Sequence, residues 1–563
     1  MASFYQQGPT LPASLAADGA LDAYLKLRLP ERLAGQWRGP LERLWARSRD
    51  EMAPLAAAAE ANPPEHISYD PWGRRIDLIQ VCPEWQKLEG IASEEGVIAT
   101  AYERADGAWS RVHQFLRLYL YHPNSAIASC PMAMTDGAAR VLQRHGDEDL
   151  KRWVLPRLLS RDSSRFWTAG QWMTERGGGS DVSRSETIAV PEGDEGYRLY
   201  GVKWFTSATT AQVAMTLARV EDDQGRDEKL SLFFVEVRDQ AGQLRNIQVN
   251  RLKDKLGTRA LPTAELTLEG TPARLVGERG RGVATIADIL NITRLYNACC
   301  AAGYMGQGLA LARDYAGKRE AFGKPLIEHP LHRETLADLT VEHEVAFQLV
   351  FECARLLGRE ECGEASEREL TCLRLLTPVT KLYTGKQVVA AISEVLEAFG
   401  GAGYVEDTRL PQLLRNAQVL PIWEGTTNVL SLDLLRAMQR NDGWTQLIDA
   451  LDARLKAITT TAFSREREII QAELNTLAHW PEQLQAVSSE ALQANARKLA
   501  FRLAALVAAV LLLEQAELAG EGDMGDRYQA ILNRWLRQRL GCSDHAAYPA
   551  GEAVRILDMG GVD

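Results

Sequence analysis

The sequence predicts a multidomain α+β protein in which helical, β, helical and again helical regions follow one another along the chain. Three observations carry this. The 563 residues exceed what one hydrophobic core organises, so three or four domains are expected. Between Phe166 and about Leu275 the chain breaks into short strand-like runs separated by glycine-rich and Asp/Gln-rich turns. On either side, apolar residues recur at helical spacing in segments too long for strands.

Residues 1–165 read as an N-terminal extension and helical domain. Ala61-Asn62-Pro63-Pro64 and Tyr69-Asp70-Pro71-Trp72-Gly73 break the extension into loops. Helical patterns cover Ala92 to Tyr121 and Asp136 to Leu159, the second opening on an Asp136-Gly137 pair suited to capping. Residues 166–275 read as a middle antiparallel sheet or barrel, with strands at Tyr197–Trp204, Val213–Val220, Leu230–Val237 and Ala264–Leu268. Residues 276–440 read as a helix bundle built from Val283–Lys318, Leu331–Leu357, Glu369–Phe399 and Leu430–Met438. Residues 441–563 form an additional helical domain whose longest segment is Ser488–Leu518. Its apolar run, Leu503 to Leu513, falls short of the ~20 residues that span a bilayer and reads as a buried helix.

Hydrophobic content of 46% and charged content of 25% describe an ordinary globular chain. A net charge of −11 argues against a nucleic-acid binder. Residues 441–563 are acidic themselves, with 12 basic against 17 acidic side chains. Within them Arg534, Arg537 and Arg539 read as a solvated helix face rather than a phosphate footprint. The Arg497-Lys498…Arg502 group would suit a membrane surface, though packing against the bundle or a neighbouring protomer is the default. The eight cysteines, at 82, 130, 299, 300, 353, 362, 372 and 542, contain no C-x-x-C pair and read as reduced core residues of a cytosolic protein. Residues 1–20 lack the charged start and apolar core of a secretory signal. His329 and His332 lack metal-ligand spacing, so no metal is expected.

The motif that carries most chemistry is Ile422-Trp423-Glu424-Gly425-Thr426-Thr427-Asn428. A carboxylate held against an indole is desolvated, which raises its pKa towards the value a general base needs. Met173-Thr174-Glu175-Arg176-Gly177-Gly178-Gly179-Ser180-Asp181 supplies backbone N–H groups for a ligand or, equally, a structural turn. Gly303, Gly306 and Gly308 lack a preceding strand and read as close helix packing, not a dinucleotide loop. Lys318 to Pro325 ends a helix in basic residues, either for its dipole or for a pyrophosphate. Phe399-Gly400-Gly401-Ala402-Gly403 is at least a helix stop.

In series, these motifs resemble the acyl-CoA dehydrogenase family from about Ser125 to Met438, together with Gly201-Val202-Lys203-Trp204-Phe205 and Lys255-Leu256-Gly257-Thr258-Arg259. The resemblance implies an acyl-CoA dehydrogenase-like fold and an FAD enzyme that desaturates an acyl-CoA between its α and β carbons. Glu424 falls on the base position; Thr293 occupies an alternative base position and cannot serve. The implied flavin contacts are Gln171, Met173, Thr174, Phe205 and Ser207, with Gly179 and Ser180 bordering flavin and CoA. Arg319, Phe322, Glu397, Gly400 and Gly401 match positions that reach a neighbouring subunit's flavin, which implies a homo-oligomer. Thr426 and Asn428 match contacts to the adenine half. Asn291, Arg294, Ser180, Trp423 and Gly425 match substrate positions, and an electron-transfer flavoprotein or similar acceptor is implied. Trp423, Gln171 and Asn428 depart from the usual residues. With the N-terminal extension and the extra C-terminal domain, they look most like the AidB branch, flavoproteins of the alkylation response associated with DNA binding and weak dehydrogenase turnover. Active dehydrogenation is the preferred reading, the AidB-type DNA-binding flavoprotein the alternative, and an unusual elimination or oxidation of a CoA thioester the third.

Overall fold

The computed structural model describes residues 5–193, 196–440, 442–480, 488–541, 548–549 and 551–558. The chain opens with α1 (Gly19–Leu27), α2 (Glu31–Arg47), α3 (Ala53–Ala61) and a hairpin of β1 (Glu65–Tyr69) and β2 (Arg75–Gln80). Next come α4 (Pro83–Glu94), α5 (Ala99–Glu103), α6 (Ser110–Tyr121), α7 (Ser129–His145) and α8 (Glu148–Leu158). The β region holds β3 (Ala169–Trp172), β4 (Ile188–Glu192), β5 (Gly196–Ser207) and β6 (Val213–Asp222). It continues with β7 (Gly225–Arg226), β8 (Ser231–Glu236), β9 (Ile247–Leu252) and β10 (Thr263–Val276). There follow α9 (Gly282–Lys318), a tight hairpin of β11 (Glu320–Ala321) and β12 (Lys324–Pro325), α10 (Pro330–Glu361), α11 (Glu367–Ala398), α12 (Leu410–Ala417) and α13 (Thr427–Met438). The last segments are α14 (Gly443–Ala457), α15 (Ser464–Ala478), α16 (Ser489–Ala519), α17 (Asp523–Arg539) and α18 (Glu552–Leu557). The chain forms two units: residues 47–105 with 116–296, and residues 1–46 with 106–115 and 297–563.

In the first unit, β6, β4, β5, β10 and β8 pair in a closed ring, with β3 added on β6 and β9 on β10. Closure removes the open edges that would otherwise recruit other strands. β6 is buried on both faces. Met215 and Leu217 join Val141, Leu150, Val154 and Ile289 in one core, while Ala214, Ala218 and Val220 join Leu199, Val235 and Leu266 in another. Gly137 allows α7 to approach the first half of α9, since a Cβ there would lie 2.5 Å from Ile289 Cγ2.

The middle sheet is not purely antiparallel: β3 and β4 both run parallel to β6. β3, β4 and β9 are strands that the sequence does not announce, since each is short and carries glycine, proline or polar residues. Tyr69 to Gly73 closes a hairpin rather than a loop, held by Asp77, which accepts from His66, Arg75 and the Val249 amide at 2.8–3.0 Å. Ala92–Tyr121 is not one helix; Arg104 turns left-handed (φ 53°) after α5 and the chain restarts at α6. Asp136 is no cap either. It lies buried inside α7 and accepts the hydroxyls of Tyr102 at 2.7 Å and Tyr296 at 3.0 Å.

In the second unit, α9 (from Asn297), α10, α11 and α13 form the bundle, and α16 packs on it. A Cβ on Gly308 would meet Ile392 Cδ1 at 2.7 Å, so that glycine serves helix contact as its spacing suggested. The bundle holds buried ion pairs. Arg111 and Glu361 meet at 2.7 Å with both side chains fully enclosed. Glu352 of α10 meets Arg454 of α14 at 2.8 Å, and Arg454 shares Glu514 of α16 with Arg28.

The C-terminal arginines are not a solvated face. Arg534, fully buried, pairs with Glu334 and Asp338; Arg537 pairs with Glu552, and Arg539 with Glu342. α16 is long and apolar enough to cross a membrane, but 83% of its most apolar window is buried within the fold, and Arg502 beside it pairs with Glu473 at 2.8 Å. The packing expected by default therefore holds for α16. Seven cysteines are free thiols, of which 82, 130 and 362 are only half-buried; Cys542 lies outside the described residues.

Candidate functional site

In the barrel unit, β3 delivers Gln171 and Met173 to the start of the glycine loop. Gln171 Nε2 donates to Met173 Sδ at 3.1 Å, while its Oε1 is sealed from solvent without a hydrogen-bond partner. Thr174 lies against Gly179 so closely that a Cβ at 179 would fall 2.4 Å from Thr174 Oγ1. The loop is anchored beneath by Glu175, which accepts from Lys203 Nζ at 2.8 Å, Thr187 Oγ1 at 2.6 Å and the Glu186 amide at 2.6 Å. Burial opposes the Glu175 charge, but the Lys203 ammonium and these donors outweigh it and hold the carboxyl below its ordinary range. The Trp204 amide donates to the Thr174 carbonyl at 2.9 Å, which sets β5 beside the loop. Phe205 stands 56% exposed, and Ser207 Oγ lies 3.1 Å from Thr263 Oγ1. Gly179 and Ser180 are exposed. Asn291 and Arg294 are half-buried on α9. Thr293, buried between them, directs its hydroxyl to the Ile289 carbonyl of its own helix at 3.1 Å.

In the bundle unit, the turn after α12 ends in Trp423 and Glu424. Glu424 takes a left-handed backbone, φ 56°, and Gly425 follows at φ 104°. A non-glycine residue pays for that conformation and keeps it only where its surroundings impose it. The surroundings are specific. Lys381, fully buried on α11, donates to the Gly425 carbonyl at 2.6 Å, and the Thr426 hydroxyl caps α13 by accepting from the Val429 amide. The Trp423 indole N–H is sealed without a hydrogen-bond partner. Asn428 is exposed. Arg319, just past α9, donates to Gln6 Oε1 at 3.1 Å. Phe322 sits at the tip of the β11–β12 hairpin, 98% exposed with φ 49°. Glu397 is exposed near the end of α11, and a Cβ at Gly400 or Gly401 would meet nothing within 4 Å.

The first unit thus gathers Gln171, Met173, Thr174 and Gly179, and the second fixes Glu424 between Trp423 and Gly425. Lys381 was not singled out from the sequence. Its only signal there is a lone cation within the otherwise uncharged run Thr377 to Gly385.

Four family descriptions match successive stretches of the chain. They are the Adaptive response protein AidB N-terminal domain (20–163), the acyl-CoA dehydrogenase middle domain (170–271) and C-terminal domain (280–439), and the acyl-CoA dehydrogenase 11 C-terminal domain-like region (447–553). Acyl-CoA dehydrogenase family member 11 of Caenorhabditis elegans is 44% identical over 538 residues, covering 93% of this chain and 87% of the relative. The chain belongs to the acyl-CoA dehydrogenase family. Within the family its architecture is AidB-like: putative acyl-CoA dehydrogenase AidB of Escherichia coli is 32% identical, with 72% of this chain and 75% of AidB covered. Among solved structures, Caenorhabditis elegans ACDH-11 in complex with C11-CoA superposes with a TM-score of 0.89 at 41% identity, covering 96% of this chain and 93% of that one. A Bacillus anthracis acyl-CoA dehydrogenase complexed with FAD shares the fold, with a TM-score of 0.74 at 19% identity and coverage of 92% and 88%.

Proposed function

We propose that this oxidoreductase is an FAD-dependent acyl-CoA dehydrogenase in which Glu424 removes the α-proton of the acyl thioester. The observation that carries the reading is the left-handed Glu424–Gly425 step, stapled by buried Lys381 and leading into a capped helix. Strain held by several independent contacts is what positioning a single carboxylate requires. The ACDH-11 complex with C11-CoA supports an acyl-CoA ligand, and the FAD-complexed relative supports the cofactor.

The barrel unit suits a flavin. Gln171 offers a buried acceptor without a partner, and Gly179 packs so tightly on Thr174 that the loop backbone there carries no side chain. Gln171, Met173, Thr174, Phe205 and Ser207 would hold it, with Gly179 and Ser180 bordering. A bound FAD would supply the acceptor for the β-hydride. Exposed Phe322, Glu397, Gly400 and Gly401, with Arg319, would meet the flavin of a neighbouring copy in a homo-oligomer. Asn291 and Arg294 would contact the CoA side. An electron-transfer flavoprotein would reoxidise the enzyme, and free thiols suit a reducing, cytoplasmic setting.

An AidB-type DNA-binding role is the second reading, favoured by the match to the AidB N-terminal domain. Against it, Arg534, Arg537 and Arg539 are all held by carboxylates. The test is anaerobic addition of an acyl-CoA panel, including C11-CoA, to the purified flavoprotein. Bleaching of the flavin band is expected, and Glu424→Gln should lose the bleaching while retaining FAD. Absent bleaching with tight, salt-sensitive DNA binding would overturn the reading in favour of the second.

A further inference from the structure

A cavity of about 520 Å³ opens in the barrel unit between α4 and the chain that leads from α8 into β3. That volume lies in the range of small-molecule sites. Gly90 and Ser163 both line it, and a Cβ at 90 would stand 3.4 Å from Ser163 Cβ, an ordinary contact. The charges around the cavity are almost all matched. Arg47 donates to Glu51, Glu94 and Glu95 at 2.7–2.9 Å, and Lys87 meets Glu51 at 2.9 Å. Arg117 approaches Glu95 at 3.6 Å, so three bases face three acids.

Glu89 stands outside this exchange. It lines the cavity, its Oε1 is sealed from bulk solvent, and that oxygen has no hydrogen-bond partner. Burial alone pushes its carboxyl up to about 8, with no basic group offsetting the penalty. Tyr121, whose phenol Glu89 raises further beyond the effect of burial, already donates to the Leu88 carbonyl at 2.8 Å. Ser163, Thr168, Thr210 and Gln212 line the same cavity. Gln212 Oε1 is fixed by the Thr168 amide at 2.8 Å.

We propose that this cavity binds a small organic ammonium ion, with Glu89 as its counter-ion and the neighbouring hydroxyl oxygens as further acceptors. An ammonium group brings three donors and the one charge the site lacks. An anion is disfavoured because every base at the rim already holds a carboxylate. A neutral polyol would leave Glu89 protonated and exchange no proton on binding. Near neutral pH the site starts with a protonated Glu89 and ends with a carboxylate–ammonium pair, so each binding event releases one proton to solvent. Affinity accordingly rises with pH up to the carboxyl's own titration and the proton release fades above it.

Calorimetric titration of the full chain with 1,4-diaminobutane tests this, in two buffers of different ionisation heat near neutral pH and again above pH 9. The expected result is binding with close to one proton released near neutrality and almost none above pH 9. Glu89→Gln should weaken binding at least tenfold and abolish the release. Thr210→Phe, which fills the cavity without altering its charge, should weaken binding as well and stands in if the first variant fails to fold. Equal binding of the neutral 1,4-butanediol, binding without proton release, or no binding of the diamine would each overturn the proposal.

Discussion

Gly425 is the residue on which the Glu424 geometry turns. Its φ of 104° is one that side chains resist, and a Cβ there would press on Leu430 Cδ2 at 3.0 Å. Gly425→Ala should therefore cost about 1–3 kcal/mol of stability and slow anaerobic flavin bleaching more than it lowers FAD content; thermal melts and stopped-flow absorbance measure the two. Lys203→Met removes the cation from a buried pair and strands Glu175, so a loss of about 3–5 kcal/mol is expected in urea unfolding. The sequence made Glu424 and the glycine loop visible because their neighbours recur in a known order. It could not show Lys381 or Glu175 as supports. Their roles depend on which backbone oxygen or side chain comes within 3 Å, and such proximity leaves no local pattern.

At the scale of elements, long helices and amphipathic strands were legible, while short connecting strands were not. β5, β6 and β10 carry enough β-branched and aromatic residues to announce themselves; β3, with Gly170 and Gln171, owes its strand state to pairing with β6. Tertiary context overrides weak propensity there. The arginines of α17 teach the converse. Their spacing fits an exposed face, yet α10 supplies Glu334, Asp338 and Glu342 opposite them. The same logic governs α10, α14 and α16. Burial works against Glu352, but Arg454 and Arg355 overcome it and hold the carboxyl well below its ordinary range. A depressed carboxyl stabilises the fold above its unfolded value of about 4.3 and loses that contribution as pH falls below it. Glu352→Gln should lower stability at neutral pH by about 3 kcal/mol and flatten the decline seen between pH 5 and 3; denaturant midpoints across that range give the answer.

For the whole molecule, residues 441–563 complete the bundle rather than hang from it. A chain ending at 440 would leave Glu344 and Glu352 buried without Arg527 and Arg454, and would bare the bundle surface that α16 covers. Such a chain is expected to aggregate on gel filtration where the full one elutes as a defined species. With Arg534, Arg537 and Arg539 held by carboxylates and a net charge of −11, the full chain should show no salt-dependent affinity for duplex DNA by fluorescence anisotropy, since counterion release needs available cations. The Arg28–Glu514 bond joins residues 486 apart in sequence. During synthesis at about 5–20 residues per second, α1 therefore waits on the order of half a minute or more before its partner exists. The barrel unit, finished by residue 296, is complete long before. Until α10, which sets Phe347 and Phe351 against Tyr24, and then α16 are made, the nascent chain carries the apolar side of α1, Leu21 and Leu25 among it, without these partners. Ribosome-associated holding factors would find in α1 a client surface that outlasts the folding of the barrel unit.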